Sequence, residues 1–505
     1  MLYGCCRHHV HRASPADAFY TSKRYGILCS DFDTTAKRTY RMHIIHHGSG
    51  QGVTGSCHQL FTHPEHSLLI DCGLFQGSEE AADTSNPHTI NFDISTLRAL
   101  LITHVHADHV GRLPWLLAAG FTGPILCSAP SAEMLPLVLE DSFTLSVSRH
   151  TRDRDTFIKQ VMQRVKPLTY KTWFELYDTD THRVRLRLQR AGHILGSCYF
   201  EIEITQRPSK QKQIVVFSGD LGASYTPLLP APRSPWRADV LVLESTYGDR
   251  LHQHRQHRRR ALQQVVHQAL QNKGTVMIPA FSIGRTQELL YELESIIHFE
   301  KDRTIRADLP WTALPVIVDS PLASNFTELY KKLNSWWDTE AHATLRQGRN
   351  PLAFEQLITV QGHDEHLRMV HHLAQSGRPA IVIAGSGMCT AGRIVNYLKH
   401  LLPDPRHAVV FVGYQAQGTP GRIIQTHGPK GDGYVILDDD RIDIRAKVKT
   451  LSGYSAHADQ AELVRFVTRM RFPPKKIHLV HGELAAKRAL KTALQTKLPN
   501  TEISM

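Results

Sequence analysis

The sequence predicts an α/β protein of two or three domains, and three features carry that expectation. Short apolar runs compatible with β-structure recur along the chain, and several of them end in a residue able to bind a metal. From about residue 275 such runs alternate with helical segments, the pattern of a parallel sheet covered by helices. A chain of 505 residues also exceeds what one ordinary core supports.

Residues 1–41 are rich in His, Arg, Ser and Thr without sustained periodicity, and read as a disordered extension. Folding is expected from Met42, where Met42 to His47 opens a strand. The glycine-rich turn Gly48 to Ser56 follows, but no Gly-Lys-Ser/Thr completes a phosphate loop there. Ser67 to Gly73 is an apolar strand ending in Asp71. Ala99 to Ile102 reads as a buried strand, and THVHADH at 103–109 then places His104, His106, Asp108 and His109 within six residues. An extended backbone points His104 and His106 the same way, whereas Asp108 and His109 need a turn to join them. Imidazoles plus a carboxylate suit Zn²⁺ or a similar divalent ion without thiolates.

Leu113 to Gly120 reads as a short helix. Residues 133–177 read as mostly helical, with Arg149, Arg152, Arg154, Lys159 and Arg164 on exposed faces. Alternation returns at Val184 to Leu188, before the segment Ala191 to Ser197 that carries His193. The strand Ile214 to Phe217 runs into Asp220, Val240 to Leu243 into Glu244, and Ile477 to Val480 into His481. Asp71, His104, Asp220, Glu244 and His481 therefore each stand at or just beyond the C-terminal end of an apolar strand. Loops at sheet edges collect scaffolded chemistry, and five coincidences argue for one shared site.

After residue 246 a basic run at 252–260 leads into a helix, Ala261 to Asn272. That run either tracks a nucleic-acid backbone or is a solvated helix start. Strand–helix pairs follow at 275–297, 316–333 and 380–402. The turns PAFSIGR at 279–285 and GSGMCTAGR at 385–393 lie between a strand and a helix N-terminus, a geometry that binds phosphate. Arg285, Ser386 and Gly387 are the candidates there, the alternative being tight turns alone. From about Tyr434 strands return, with SGYSAHAD at 452–459 and LVHGE at 479–483. Neither internal repeat nor coiled coil is apparent.

Composition sets bounds on function. Lys and Arg number 59 against 47 Asp and Glu, a net charge of +12 that favours polyanionic partners. Residues 1–41 hold seven Lys/Arg and three Asp/Glu, which leaves +8 for the remainder. Eight cysteines lie scattered without CxxC, as suits reduced thiols in a cytoplasmic protein. The longest apolar stretch, around 113–130, is broken by Pro and Gly, so no membrane association is expected.

The HxHxDH run, the strand-end Asp71, the later Gly-His at 192–193 and the Gly-Asp at 219–220 resemble the metallo-β-lactamase fold. ESTYG at 244–248, PAFSIGRTQELL at 279–290, DSPLA at 319–323, GSGMCTAGR, SGYSAHAD and LVHGE are similar to the β-CASP nucleases of that fold. They match in particular the RNA-processing branch, which includes the cleavage-and-polyadenylation endonuclease. The resemblance covers roughly 42–505. It implies an αββα sandwich with an inserted α/β β-CASP domain: sandwich at 42–245 and 434–505, insertion at 246–433. No KH-like region or C-terminal extension is expected, unlike the archaeal tandem-KH and ribonuclease J types.

By the same resemblance, His104, His106 and His193 would hold one Zn²⁺, and Asp108, His109 and His481 a second. Asp220 would bridge the two ions, and Asp71 would orient a histidine by hydrogen bond. His457 would be the general acid, with Glu244 setting its orientation and charge. A His at 481 resembles the RNA-processing branch, where the DNA-repair branch typically has Val. The implied function is hydrolysis of single-stranded RNA, endonucleolytic with room for exonuclease activity, with a homodimer as the candidate assembly. The alternatives are a small-molecule hydrolase of the same fold, a DNA nuclease of the same family, and a non-catalytic binding relative. The inserted domain and the intact ligands speak against the first and last.

Overall fold

The apolar runs form strands whose two faces pack against different cores, which is why they read as near-continuous hydrophobic stretches rather than as alternation. The computed structural model describes residues 42–50, 52–75, 89–252, 255–431 and 433–505. The expected extension at 1–41 lies outside them. The first sheet comprises β1 (His43–Gly48), β2 (Cys57–His63), β3 (His66–Ile70), β4 (Leu97–Leu101), β5 (Ile125–Ser128) and β6 (Val165–Leu168), in that spatial order. A second sheet starts with β7 (Phe174–Asp178), β8 (His182–Arg190), β9 (Cys198–Gln206), β10 (Lys212–Phe217) and β11 (Val240–Glu244).

The chain then builds a separate parallel sheet from β12 (Thr275–Pro279), past the hairpin β13 (Thr304–Arg306) and β14 (Leu309–Pro310). β15 (Val316–Asp319), β16 (Leu357–Thr359), β17 (Ala380–Ala384) and β18 (Ala408–Phe411) follow. After the hairpin β19 (Tyr434–Leu437) and β20 (Asp440–Asp443), β21 (Lys447–Thr450) closes it. Its order is β16-β15-β17-β12-β18-β21. The last strands, β22 (Lys476–Val480) and β23 (Glu502–Ser504), return to the second sheet, which reads β23-β22-β11-β10-β9-β8-β7.

Alternate residues of each strand enter different cores. In β3, Leu68 and Ile70 face the core between the first two sheets, and Leu69 faces the helical layer. In β10, Val215 and Phe217 join that same inter-sheet core, while Val216 packs outward with Leu463, Phe466 and Leu490 of the C-terminal helices. The result is helix, sheet, sheet, helix, as expected of the αββα sandwich.

Two expectations are corrected. Residues 165–177 are not helical: the helix Thr151–Arg164 stops, and Val165 pairs with Ile125 in the first sheet. Pro167 disfavours helix at the residue before it, and that sets the boundary. Arg149, Arg152 and Lys159 are exposed as expected, but Arg154 and Arg164 are half-buried. The return to the sandwich also comes later than residue 434. β21 pairs in parallel with β18 from Ala408↔Lys447 to Phe411↔Thr450, so it belongs to the inserted sheet.

The inserted sheet is anchored by a buried polar knot at the C-terminal end of β15. Asp319, fully buried, accepts hydrogen bonds from His366 Nδ1 (2.7 Å), the Tyr397 hydroxyl (2.5 Å) and Arg393 Nη1 (2.7 Å). Burial alone would raise its pKa, but these three donors overcome that and hold it below the usual value. A carboxyl lowered on folding stabilises above its unfolded pKa, and that contribution is lost as pH falls through the folded value. Asp319→Ala should therefore lower the unfolding free energy by about 3 kcal/mol at neutral pH, read from urea denaturation, because it strands buried donors. A loss under about 1 kcal/mol, the size of a surface pair, would show that the knot does not anchor the sheet.

Candidate metal centre

Strand ends of both sandwich sheets converge on Asp220. The chain leaves β4 through a bend at Thr103, His106 is extended (φ −64°, ψ 151°), and a short helix, Ala107–Val110, turns Asp108 and His109 back toward His104 and His106. His104 Nε2 and His193 Nε2 lie 2.9 and 3.2 Å from His106 Nδ1. The same two nitrogens lie 3.6 and 3.5 Å from Asp220 Oδ2. The other oxygen, Oδ1, faces His109 Nε2 at 3.3 Å and His481 Nε2 at 3.4 Å, with Asp108 Oδ2 3.8 Å from His109 Nε2. One carboxylate thus presents one oxygen to each of the two ligand groups expected from the sequence.

The donor set fits a divalent cation. Ligands at 2.0–2.1 Å from a tetrahedral ion sit roughly 3.3 Å apart, close to the spacings of the first group. Two buried atoms, His109 Nε2 and Asp220 Oδ1, have no hydrogen-bond partner among the described residues, although they face each other at 3.3 Å. Burial lowers the pKa of His104 and His193 well below 6.5 and that of His106 to about 4, so these imidazoles are neutral and have lone pairs to donate. Burial alone would raise the Asp220 carboxyl, yet His481, His109 and His104 hold it well below the carboxylate range. For His109 burial works the other way, and Asp220, Asp71 and Asp108 outweigh it to raise the imidazole well above 6.5. A proton on His109 and a cation beside it are alternative answers to the same crowd of carboxylates.

Supporting groups stand behind these ligands. Asp71 Oδ2 takes a hydrogen bond from His109 Nδ1 at 2.8 Å, which turns Nε2 toward Asp220. Asp71 is held in turn by the backbone N–H and hydroxyl of Thr103, both at 2.8 Å. Gly73 lets this turn approach the helix, since a Cβ there would sit 1.5 Å from Asp108 O. The glycine-rich turn at 48–56 accepts the His481 N–H on Ser49 O and the Gly482 N–H on Gly52 O, both at 2.9 Å. It is a clamp on the LVHGE turn.

Glu244 and His457 meet at the edge of the cluster. Nδ1 of His457 lies 3.0 and 3.2 Å from the Glu244 oxygens and 3.9 Å from Asp220 Oδ2. Glu244, fully buried, also accepts from Leu221 N (2.6 Å) and the Thr246 hydroxyl (2.7 Å). Burial opposes a charge on His457, but Glu244 outweighs it and raises the pKa above 6.5.

The site opens into a cavity of about 150 Å³. Sandwich residues His106, Asp108 and His457 line one side, and Phe281, Ile283, Arg285, Met388 and Tyr414 of the inserted module the other. Arg285 is buried and ion-paired with Glu288. Ser386 and Gly387 do not line the cavity, although the next residue, Met388, does; the Ser386 hydroxyl instead accepts from Thr390 N at 3.1 Å.

The basic run at 252–260 is divided: His252, Arg255 and Arg258 are buried, with Arg258 paired to Glu292 at 2.8 Å, while His257, Arg259 and Arg260 are exposed. Sequence reasoning did not single out Thr103, Thr246 or Arg255. The two threonines lie inside motifs already identified, so their hydroxyls were available as orienting partners. For Arg255 the charge run itself concealed the signal.

With this geometry in view, the chain matches the metallo-β-lactamase superfamily over residues 57–279 and the β-CASP domain over 286–424. It also matches a Zn-dependent metallo-hydrolase RNA specificity domain over 441–504. It is 36% identical to ribonuclease TTHA0252 of Thermus thermophilus, over 88% of this chain and 93% of that protein. It is 30% identical to transcription termination factor FttA of Methanocaldococcus jannaschii and 33% identical to that of Pyrococcus abyssi. Those alignments cover 89% and 80% of this chain but only 68% and 61% of the longer archaeal proteins. The chain belongs to the β-CASP family of metallo-β-lactamase-fold nucleases, in its RNA-processing branch.

Proposed function

We propose that this protein is a zinc-dependent endoribonuclease acting on single-stranded RNA, with two Zn²⁺ per chain. The observation that carries this reading is the Asp220 carboxylate, whose two oxygens face two separate nitrogen-rich groups. His104, His106 and His193 would hold one ion, Asp108, His109 and His481 the other. Bound ions supply Lewis acidity, acidifying a water and neutralising charge on a phosphodiester. His457, held through Nδ1 by Glu244, has Nε2 left to donate a proton to the leaving oxygen. Asp71 keeps His109 in the tautomer that presents Nε2.

For the substrate, the match to an RNA specificity domain and the ribonuclease named among the relatives support RNA. Arg285, paired with Glu288, stands in the cavity wall and would orient a phosphate there, and the Ser386–Gly387 turn, outside the cavity, would contact phosphate farther along the strand. A cavity of about 150 Å³ walled by two modules suits a thin flexible strand better than a duplex.

Metal analysis of reconstituted protein should give about two zinc per chain, as two-ion chemistry requires; a plateau at one ion would overturn the two-site reading. Asp220→Asn should deplete both ions. His457→Ala should retain them and lose roughly 10²–10⁴-fold in rate, the range of general-acid catalysis; equal metal loss in both variants would remove His457 from that role. With end-labelled substrates, single-stranded RNA should be cut in a chelator-sensitive reaction that weakens with salt, and matched DNA cut poorly. A preference for DNA would refute the substrate assignment.

A further inference from the structure

Within the basic run at 252–260, His257, Arg259 and Arg260 are exposed, but His252 and Arg255 turn inward, where they cannot track an RNA backbone. Arg255 is 8% exposed and His252 9%. The Arg255 guanidinium spans two loops: Nε donates to Ser224 O (3.0 Å), Nη1 to Ser455 O (2.9 Å) and Nη2 to the Thr226 hydroxyl (3.2 Å). His252 acts on the second loop alone, its Nε2 donating to the backbone carbonyl of His457 (2.9 Å) and its N–H to Asp459 Oδ2 (3.1 Å).

The loops so joined carry the bridging carboxylate and the proton donor. Residues 220–226 start at Asp220, and 455–459 contain His457. They are zipped by Ala223 N to Ala456 O (3.2 Å) and Ala458 N to Leu221 O (2.7 Å), with a bridge between Gly222 and His457. Ser224 N also donates to Glu462 Oε1 (2.7 Å), but neither that bond nor the two backbone bonds joins Ser455 to Ser224. A planar guanidinium with three donors in fixed directions does so, where a lysine would supply a single swivelling point.

We propose that Arg255 and His252 are positioning residues, which set the distance between the His457 imidazole and the Asp220 carboxylate. This rests on the reading of His457 as general acid. Of the metal ligands, His109 and His481 are held elsewhere, by Asp71 with Thr103 and by the turn at 48–56, and Asp220 stands four residues before the clamped Ser224, close to the end of β10, so loss of the clamp should spare the metals and misplace the proton donor. A shift of about 1 Å in a reacting group costs up to about 100-fold.

The test compares two RNAs, one natural and one with the scissile leaving oxygen replaced by bridging sulfur, made in both 3′ and 5′ forms. A thiolate leaves without needing a proton, so a defect confined to proton donation disappears on the sulfur substrate. Arg255→Met and His252→Ala are assayed beside His457→Ala, each with its zinc content measured. Arg255→Met should keep its zinc, lose about 10- to 100-fold in kcat on natural RNA with KM little changed, and recover most of that loss on sulfur-bridged RNA. His252→Ala should show the same pattern more weakly, and stands in if Arg255→Met fails to fold.

Equal losses on both RNAs, or loss of zinc, would overturn the positioning role. If His457→Ala shows the substrate split and the clamp variants do not, only the clamp is wrong. If His457→Ala shows no split, the general-acid reading falls first, and the clamp with it.

Discussion

A buried carboxylate set among imidazoles governs this molecule. Asp220 is 3% exposed, and stripping a carboxylate of water costs several kcal/mol unless opposite charge or donors replace it. Here His104, His109, His193 and His481 surround it, drawn from separate stretches of the chain. No local segment could build that environment. The two-sheet sandwich exists, in effect, to bring those strand ends to one edge, and its apolar layers supply the stability that such crowding of polar groups consumes.

Pairing across the second sheet does the long-range part. β11 and β22 lie side by side in parallel register, with Glu244 opposite Val480, although more than two hundred residues separate them in sequence. That register puts His481 one step past the partner of Glu244, where Ser245 N reaches His481 O at 3.1 Å. Both His481 and Asp71 adopt positive φ, 51° and 59°, a conformation costly for residues other than glycine. The strain falls on two residues that must turn abruptly off a strand toward the cluster, and the surrounding hydrogen bonds hold them there.

Much of this was legible in the sequence, for physical reasons. Apolar runs buried on both faces stand out in composition, so β1, β3, β4, β8, β10, β11 and β22 could be placed, while β2, β5, β7 and β9 could not, and the residue after most of the placed runs marks the sheet edge. The ligands could be found because His and Asp at strand ends are chemically conspicuous. What stayed hidden depended on partners. Val165 to Leu168 followed a long helix and carried too little pattern to show as an edge strand. β21, with Lys447 and Lys449, has only Val448 in the core, and its place beside β18 is a tertiary fact. Arg255 looked like solvent-facing charge because nothing local reveals that a guanidinium will find two carbonyls in distant loops.

The placement of the insertion has a consequence for how the site works. It departs directly after the ESTYG turn, which begins at Glu244, and returns just before SGYSAHAD, which contains His457. Every proposed metal ligand, by contrast, is carried by sandwich strands or by the turns that leave them. A displacement of the inserted module therefore reaches the site first through the Glu244–His457 pair and through Phe281, Arg285, Met388 and Tyr414 on the cavity wall. Among the histidines, His109 and His481 are locked by Asp71 and by backbone bonds from the turn at 48–56, whereas His106 and His193 border the module through the Phe281 ring and the bond from Leu195 N to the Tyr330 hydroxyl (3.1 Å). The architecture thus divides the site between two parts: the Asp220–histidine cluster belongs to the sandwich, while the Glu244–His457 pair flanks the inserted module and the far cavity wall is built by it.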